Sequence, residues 1–256
     1  MRKSKVLEKL RKNEPVLCAK SNITNPWITE IVGMNGYDCI WLCMEHCTGD
    51  YLSVENCIRA DKIHNMDTMV RVNKSGYSDI IKPLELDASG IMYPHCKSKQ
   101  EAKDAVNQTK FFPVGKRPID GGNLDSPFCT IPLKEYTQQS NENKFLIVQI
   151  EDKEAIPHID DIVKTEGIDA VFVGPGDLSH SFGRPGEIQI PEIVEVIQKV
   201  AESCKEHNKP WGIPVSQETV KKYYDMGARF LAFGADVVGL YEYFKSNLAN
   251  VLKELP

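Results

Sequence analysis

Phe145-Leu-Ile-Val-Gln-Ile-Glu151 and Val171-Phe-Val-Gly-Pro-Gly-Asp177 decide how this chain is read. Each is a short apolar run of strand type that ends abruptly in a carboxylate. The segment between them, Asp152 to Asp169, has the pattern of a helix. Two parallel, adjacent strands therefore deliver one acid each to the same edge of a sheet. Gln149 precedes Glu151 by two residues, so on a strand both point to the same side. A pair of carboxylates on one rim suits a hard divalent cation, Mg²⁺, Mn²⁺ or Co²⁺, completed by water and substrate oxygens; two solvated strand ends are the plainer reading.

Outward from this pair the same unit repeats. Strands are expected at Pro15–Lys20, Tyr37–Met44, Asp67–Val72, Gly90–Pro94, Phe145, Ala170, Trp211–Val215 and Phe230–Gly234. Helical stretches lie between them: one opened by Asn25-Pro26, Ser53 to His64 with Ser53 as cap, Tyr77 to Asp87, Ser98 to about Thr109 with a Ser98/Glu101 capping box, Leu133 to Ser140, Pro191 to His207, Gln217 to Met226, and Val237 to Leu255. Strands alternating with helices make parallel βαβ units, and eight of them fit an α/β fold of the (β/α)8 TIM-barrel type as one domain over residues 1–256. The rival, a doubly wound open sheet, lacks a GxGxxG turn after its first strand. Residues 110 to 133 have no clear period and carry Pro113, Pro118, Pro127 and Pro132; a connection that long is usually functional or disordered.

A net charge of −5 offers no basic stripe for nucleic acid. No apolar run reaches the length of a membrane span, and the charged N-terminus lacks the centre of a signal peptide, so a cytoplasmic location is expected. The eight cysteines then read as thiols rather than a disulfide framework. Cys39, Cys43, His46 and Cys47 cluster in sequence, but not at a zinc-knuckle spacing.

A barrel predicts where chemistry collects: at the C-terminal ends of the strands. That rim should hold Glu45 and His46, Arg71, His95, Gln149, Glu151, Gly176 and Asp177, Ser216 and Asp236. His46 could serve as a general base or be structural. The Arg71 fork could hold a carboxylate or carbonyl, or form an internal ion pair. His95 reads mainly as structural. Exposed amides around Gly174-Pro-Gly176-Asp177 could take an anion or simply form a tight turn. The opposite rim, with Asp38, Asp67, Lys144 and Asp169, reads as turn chemistry.

At these residues the chain resembles the class II, metal-dependent pyruvate aldolases of the HpcH/HpaI type. The resemblance rests on Tyr37-Asp38 through Glu45-His46, Val70-Arg71, Gly90 to Pro94, Val148-Gln-Ile-Glu151 and Val171-Phe-Val-Gly-Pro-Gly-Asp-Leu-Ser179, with spacing kept over nearly the whole chain. It implies reversible cleavage of a 4-hydroxy-2-oxo acid to pyruvate and an aldehyde through a metal-stabilised enolate. It implies Glu151 and Asp177 as metal ligands, His46 as the acid/base working through water, and Arg71 on the keto oxygen. Gln149 and Pro214 then line the site, the amides of Gly176 and Asp177 take the carboxylate, and Glu45, Cys43 and Glu85 are secondary. A homo-oligomer is implied too, a hexamer assembled from dimers that exchange the last helix. A citryl- or malyl-CoA-type lyase and a non-catalytic binder of oxo acids are the alternatives; a Schiff-base aldolase would need Lys20. Three positions depart from the family pattern. Cys43 stands where an Asp usually supports the His. Pro214 replaces an aliphatic pocket residue. Gly115-Lys116-Arg117-Pro118 stiffens a loop expected to close over the aldehyde.

Overall fold

The computed structural model describes residues 1–255. Eight parallel strands close into a barrel in sequence order: β1 (Val16–Ser21), β2 (Cys39–Cys43), β3 (Asp67–Arg71), β4 (Gly90–Tyr93), β5 (Phe145–Ile150), β6 (Ala170–Val173), β7 (Trp211–Pro214) and β8 (Ala228–Ala235). The ring closes where Val16 and Leu17 pair with Phe230 and Leu231. The helices are α1 (Lys5–Arg11), α2 (Pro26–Met34), α3 (Tyr51–Ile63), α4 (Tyr77–Glu85), α5 (Lys99–Thr109), α6 (Leu133–Asn143), α7 (Ile159–Val163), α8 (Pro175–Ser181), α9 (Pro191–Glu206), α10 (Val220–Asp225) and α11 (Asp236–Glu254). This is the expected (β/α)8 barrel.

Strand periodicity sorts side chains into two cores. On β5, Leu146, Val148 and Ile150 face the helices, while Phe145 and Ile147 face the barrel interior. The interior is packed rather than hollow: Trp41, Phe172 and Phe230 meet edge to face at 5.5 and 6.1 Å between ring centroids. Gly90 makes room for this filling, because a Cβ there would lie 2.2 Å from the Phe145 ring. Helix α1 closes the N-terminal end of the barrel with Val6, Leu7 and Leu10.

The acids of that end do more than shape turns. Asp67 accepts from the Ser4 hydroxyl at 2.7 Å and the Val6 amide at 2.8 Å. Asp38 accepts from Lys9 at 2.6 Å and the Leu17 amide at 2.9 Å. Together they pin α1 across the barrel floor. Asp169 and Lys144 anchor the next connection: Lys110 donates to the Lys144 carbonyl at 2.6 Å and to Asp169 at 2.8 Å.

Several expectations are corrected. Asp50, not Ser53, caps α3, accepting the Ser53 amide at 2.7 Å. The helix expected over Asp152–Asp169 is a 3-10 segment, Lys153–His158, followed by the short α7; Pro157 lies inside the 3-10 turn and lacks the donor a continuous α-helix needs. Pro175 starts a seven-residue helix, α8, where only a turn was expected. The irregular stretch before α6 does not close over the strand ends within its own chain. It joins the C-terminal end of α5 to α6 and β5 at the opposite rim, and the Leu124 amide donates to the Glu85 carbonyl at 3.2 Å. Arg117 is buried there, 3.0 Å from Asp125 and stacked over Phe111. Among the described residues no helix is long and apolar enough to cross a membrane.

Candidate active site

At the C-terminal ends of the strands a cavity of about 430 Å³ opens above the aromatic filling. Its charged lining consists of Lys20 from β1, Arg71 from β3, Glu151 after β5 and Asp177 in the first turn of α8. Gln149, Gly176 and Pro214 line it as well, and Trp41 and Phe172 form its apolar wall.

Glu151 is 1% exposed and held on two sides. The His95 amide donates to Oε1 at 2.8 Å, and Gln149 Nε2 donates to Oε2 at 2.9 Å. The inward period of β5 puts Gln149 and Glu151 on one wall. Burial pushes the Glu151 carboxyl up to about 7; the His95 amide and ring charge oppose this, while the negative charge of Asp177 adds to it. A buried carboxyl whose charge is disfavoured, beside a second carboxylate, fits a divalent cation. So does the amide oxygen of Gln149, buried and without a hydrogen-bond partner. All these donors are oxygens, the set preferred by Mg²⁺ and Mn²⁺. Gly174 lets the two strands' acids approach: a Cβ on it would lie 2.4 Å from Glu151 Oε2.

Arg71 faces this wall with its guanidinium 4.9 Å from the Trp41 ring centre. Its Nη2 donates to Cys43 Sγ at 3.1 Å. Its Nε lies 3.0 Å from Glu45 Oε2, but the pair lacks hydrogen-bond alignment, which leaves that N–H without an acceptor. Burial pushes the Cys43 thiol up, but the Arg71 guanidinium and the His46 and Glu45 amides outweigh it and hold the thiol below its usual range. Cys43 thus faces Arg71. Its only hydrogen bond to His46 is from that residue's backbone amide, at 3.4 Å.

His46 projects from the loop after β2, its side chain 57% exposed, with Nε2 3.5 Å from Glu45 Oε2. Glu45 therefore stands beside the imidazole where Cys43 leaves the usual Asp missing. Burial raises the Glu45 carboxyl, but the hydrogen bond from His95 and the charge of Arg71 more than offset this, so it stays below the ordinary carboxylate range.

His95, read from sequence as structural, is part of the cluster. Its Nδ1 is 2.9 Å from Asp152 Oδ2, and its Nε2 is 3.3 Å from Glu45 Oε1. The hydrogen bond to Glu45 leads the causes that raise its pKa to about 9, against the pull of burial, so it is a cation at neutral pH. Its backbone is left-handed, φ 50°, a conformation uncommon outside glycine and found at constrained sites. The signal in the sequence was its position after Pro94 at the end of the fourth strand.

Glu85 is not brought to this cavity. It ends α4, which carries it away from the strand ends, and it lines a separate hollow with Tyr51 and Phe128. Asp236 is occupied elsewhere, taking the Ser21 hydroxyl at 2.7 Å and the amides of Asn22 and Ile23. Asp160, Glu206 and His207 also bring ligand atoms within 4.8 Å of one another, but on the outer layer of α7 and α9, largely exposed. All eight cysteines are free thiols.

Comparison with known proteins gives the family. The 5-keto-4-deoxy-D-glucarate aldolase of Klebsiella pneumoniae is 32% identical over 234 residues, covering 91% of this chain and 90% of its own. That of an Enterobacter species is 33% identical over 236 residues, covering 91% of each. Among solved structures, the HpcH/HpaI aldolase from Desulfitobacterium hafniense superposes with a TM-score of 0.90 at 26% identity, covering 97% of this chain and 96% of its own. The citrate synthase SbnG gives 0.89 at 26% identity, covering 97% of both. The profile of HpcH/HpaI aldolases and citrate lyases matches residues 21–241, nearly the entire barrel. The chain is a carbon–carbon lyase that belongs to the HpcH/HpaI aldolase/citrate lyase family.

Proposed function

We propose that this enzyme reversibly cleaves a 4-hydroxy-2-oxo acid to pyruvate and an aldehyde. The observation that carries the reading is one cavity in which buried Glu151 and half-buried Asp177 face the Arg71 guanidinium above an apolar floor. Glu151 and Asp177 hold a divalent cation, Mg²⁺, Mn²⁺ or Co²⁺. When bound, that cation supplies Lewis acidity toward the 2-oxo acid.

The chain's own residues do the rest. The amides of Gly176 and Asp177 receive the substrate carboxylate; Gly176 has no side chain to obstruct it, and beyond its own helix and chain neighbours nothing stands within 4 Å of where one would begin. The unaligned Nε–H of Arg71 turns to the keto oxygen and stabilises the negative charge that grows there. Gln149 keeps Glu151 in place. His46, beside Glu45, moves the proton of the 4-hydroxyl through water, since its ring lies outside the cavity wall. His95 holds Glu45 and Glu151 in fixed relation from its cationic position between them. Trp41 and Phe172 keep water from the apolar side of the cavity.

The active form is a homo-oligomer built on exchange of α11. No residue of α11 is buried, although Val237, Tyr241, Phe244, Leu248 and Leu252 form an apolar stripe at helical spacing. A second bare stripe runs along α2, with Trp27 77%, Ile31 56% and Met34 73% exposed. A second copy of the chain can cover both at once. Val238 also borders the cavity, which supports a role for α11 beside the site. A cytoplasmic location belongs to the same reading.

The test is release of pyruvate from 4-hydroxy-2-oxo acids before and after chelation. Release that stops with chelator and returns with Mg²⁺ or Mn²⁺ supports the reading; no release from a panel of such acids, with metal bound, overturns it.

A further inference from the structure

Four charged side chains line the cavity, and they divide by wall. Arg71 is matched by Glu45 and Cys43, and Glu151 by Gln149 and the His95 amide; Asp177, without a side-chain partner among the described residues, is the acid assigned with Glu151 to the cation. Lys20 is different. It is half-buried on the inner face of β1, in register with Trp41, its Nζ 5.4 Å from the indole centre. Among the described residues its ammonium makes no ion pair and no hydrogen bond. The acid nearest in register, Asp236 beyond Ala235, spends its oxygens on Ser21, Asn22 and Ile23. A half-buried ammonium without a counter-ion, opening into a site, is set to receive an anion from outside the chain.

Its place also says where that anion lies on the ligand. In a ring of eight strands, β1 and β5 stand opposite each other. Lys20 therefore faces the Glu151 wall across the mouth of the cavity, with Arg71 between them over the same Trp41 ring.

Resting on the reading that the Glu151 and Asp177 wall takes the 2-oxo-acid head, we infer that Lys20 binds a second carboxylate at the far end of the substrate, making the enzyme selective for dianionic substrates. That carboxylate is carried either on the oxo acid's own chain or on the aldehyde fragment.

Calorimetry on the Mg²⁺-loaded protein compares 2-oxoglutarate, with two carboxylates, and 2-oxobutyrate, with one. Initial rates of aldol addition to pyruvate compare succinic semialdehyde with butanal. The wild-type protein prefers the charged member of at least one pair by about 10- to 100-fold, the worth of one charge-assisted hydrogen bond. Lys20→Met brings that preference close to one, and Lys20→Arg keeps most of it. A preference in either pair that Lys20→Met abolishes supports the inference and identifies the fragment that carries the carboxylate. Absence of a preference in both pairs, or preferences that Lys20→Met leaves intact, overturns it. Borohydride trapping of pyruvate on Lys20 also overturns it, because the amine would then be a nucleophile rather than a charge. Exchange of the pyruvate methyl protons in the wild-type protein tests the enolate reading separately, and its failure leaves the calorimetric comparison able to judge Lys20.

Discussion

Replacing Gly174 by alanine strikes the site at its tightest point. The glycine has φ −102°, so alanine meets no backbone strain; the effect is one of space alone. The new methyl would lie 2.4 Å from Glu151 Oε2 and 2.7 Å from Glu151 Cβ, where ordinary contact begins near 3.4 Å, so the carboxylate must retreat by about 1 Å. Glu151 cannot retreat freely, because Gln149 and the His95 amide hold it at 2.9 and 2.8 Å. Overpacking of this kind costs ~1–3 kcal/mol. At about 2–4 °C per kcal/mol for a chain of this size, the metal-free protein should melt a few degrees lower. The larger effect falls on the cation, since displacing the groups that support a ligand typically weakens binding by about 10- to 100-fold. Titration with Mn²⁺ followed by calorimetry measures it. A Gly174→Ala variant that folds, melts slightly lower and binds Mn²⁺ as tightly as the wild type would refute the placement of the cation at Glu151.

Arg71→Lys keeps the charge but loses the fork between Glu45 and Cys43; turnover should fall about 10²- to 10³-fold, and steady-state rates at saturating metal check this. Burial lifts the Asp61 carboxyl to about 7 against the charge of Arg2 and the hydroxyl of Thr68. The folded chain then keeps a proton that the unfolded chain releases near pH 4, so this contribution is full below about pH 4 and is lost as pH rises toward 7. Denaturant titrations at pH 5 and pH 8 should show that loss in the wild type and a smaller one in Asp61→Asn. Phe244→Glu together with Leu248→Glu charges the bare face of α11, and sedimentation should show a smaller assembly than the wild type.

How much could be read in advance depended on the range of the interactions. Glu151, Gln149 and Asp177 were legible because a strand's period of two and a parallel barrel's polarity place them without further information. His95 was not. Its role comes from Glu45 after the second strand and from Glu151 and Asp152 after the fifth, and its own neighbours Pro94 and Cys96 resemble any turn. Glu85 misled for a related reason: a helix following β3 runs back toward the opposite rim, so acids at its end leave the site. The α8 helix hid behind Gly174, Pro175 and Gly176, which read as a turn, although proline at the first helical position is also a start signal. The stretch before α6 has no period at all, and its path follows from the Arg117–Asp125 pair and the Leu124 contact with Glu85, which local sequence does not encode.

The proposed reaction requires this cavity to form the enolate of pyruvate with a cation held by Glu151 and Asp177. The most direct measurement is exchange of the pyruvate methyl protons for deuterium, followed by NMR in heavy water with no aldehyde present. Exchange should require Mg²⁺ or Mn²⁺, stop with chelator and be lost in Glu151→Gln. Exchange that proceeds unchanged in chelator, or none at all with metal bound, contradicts it.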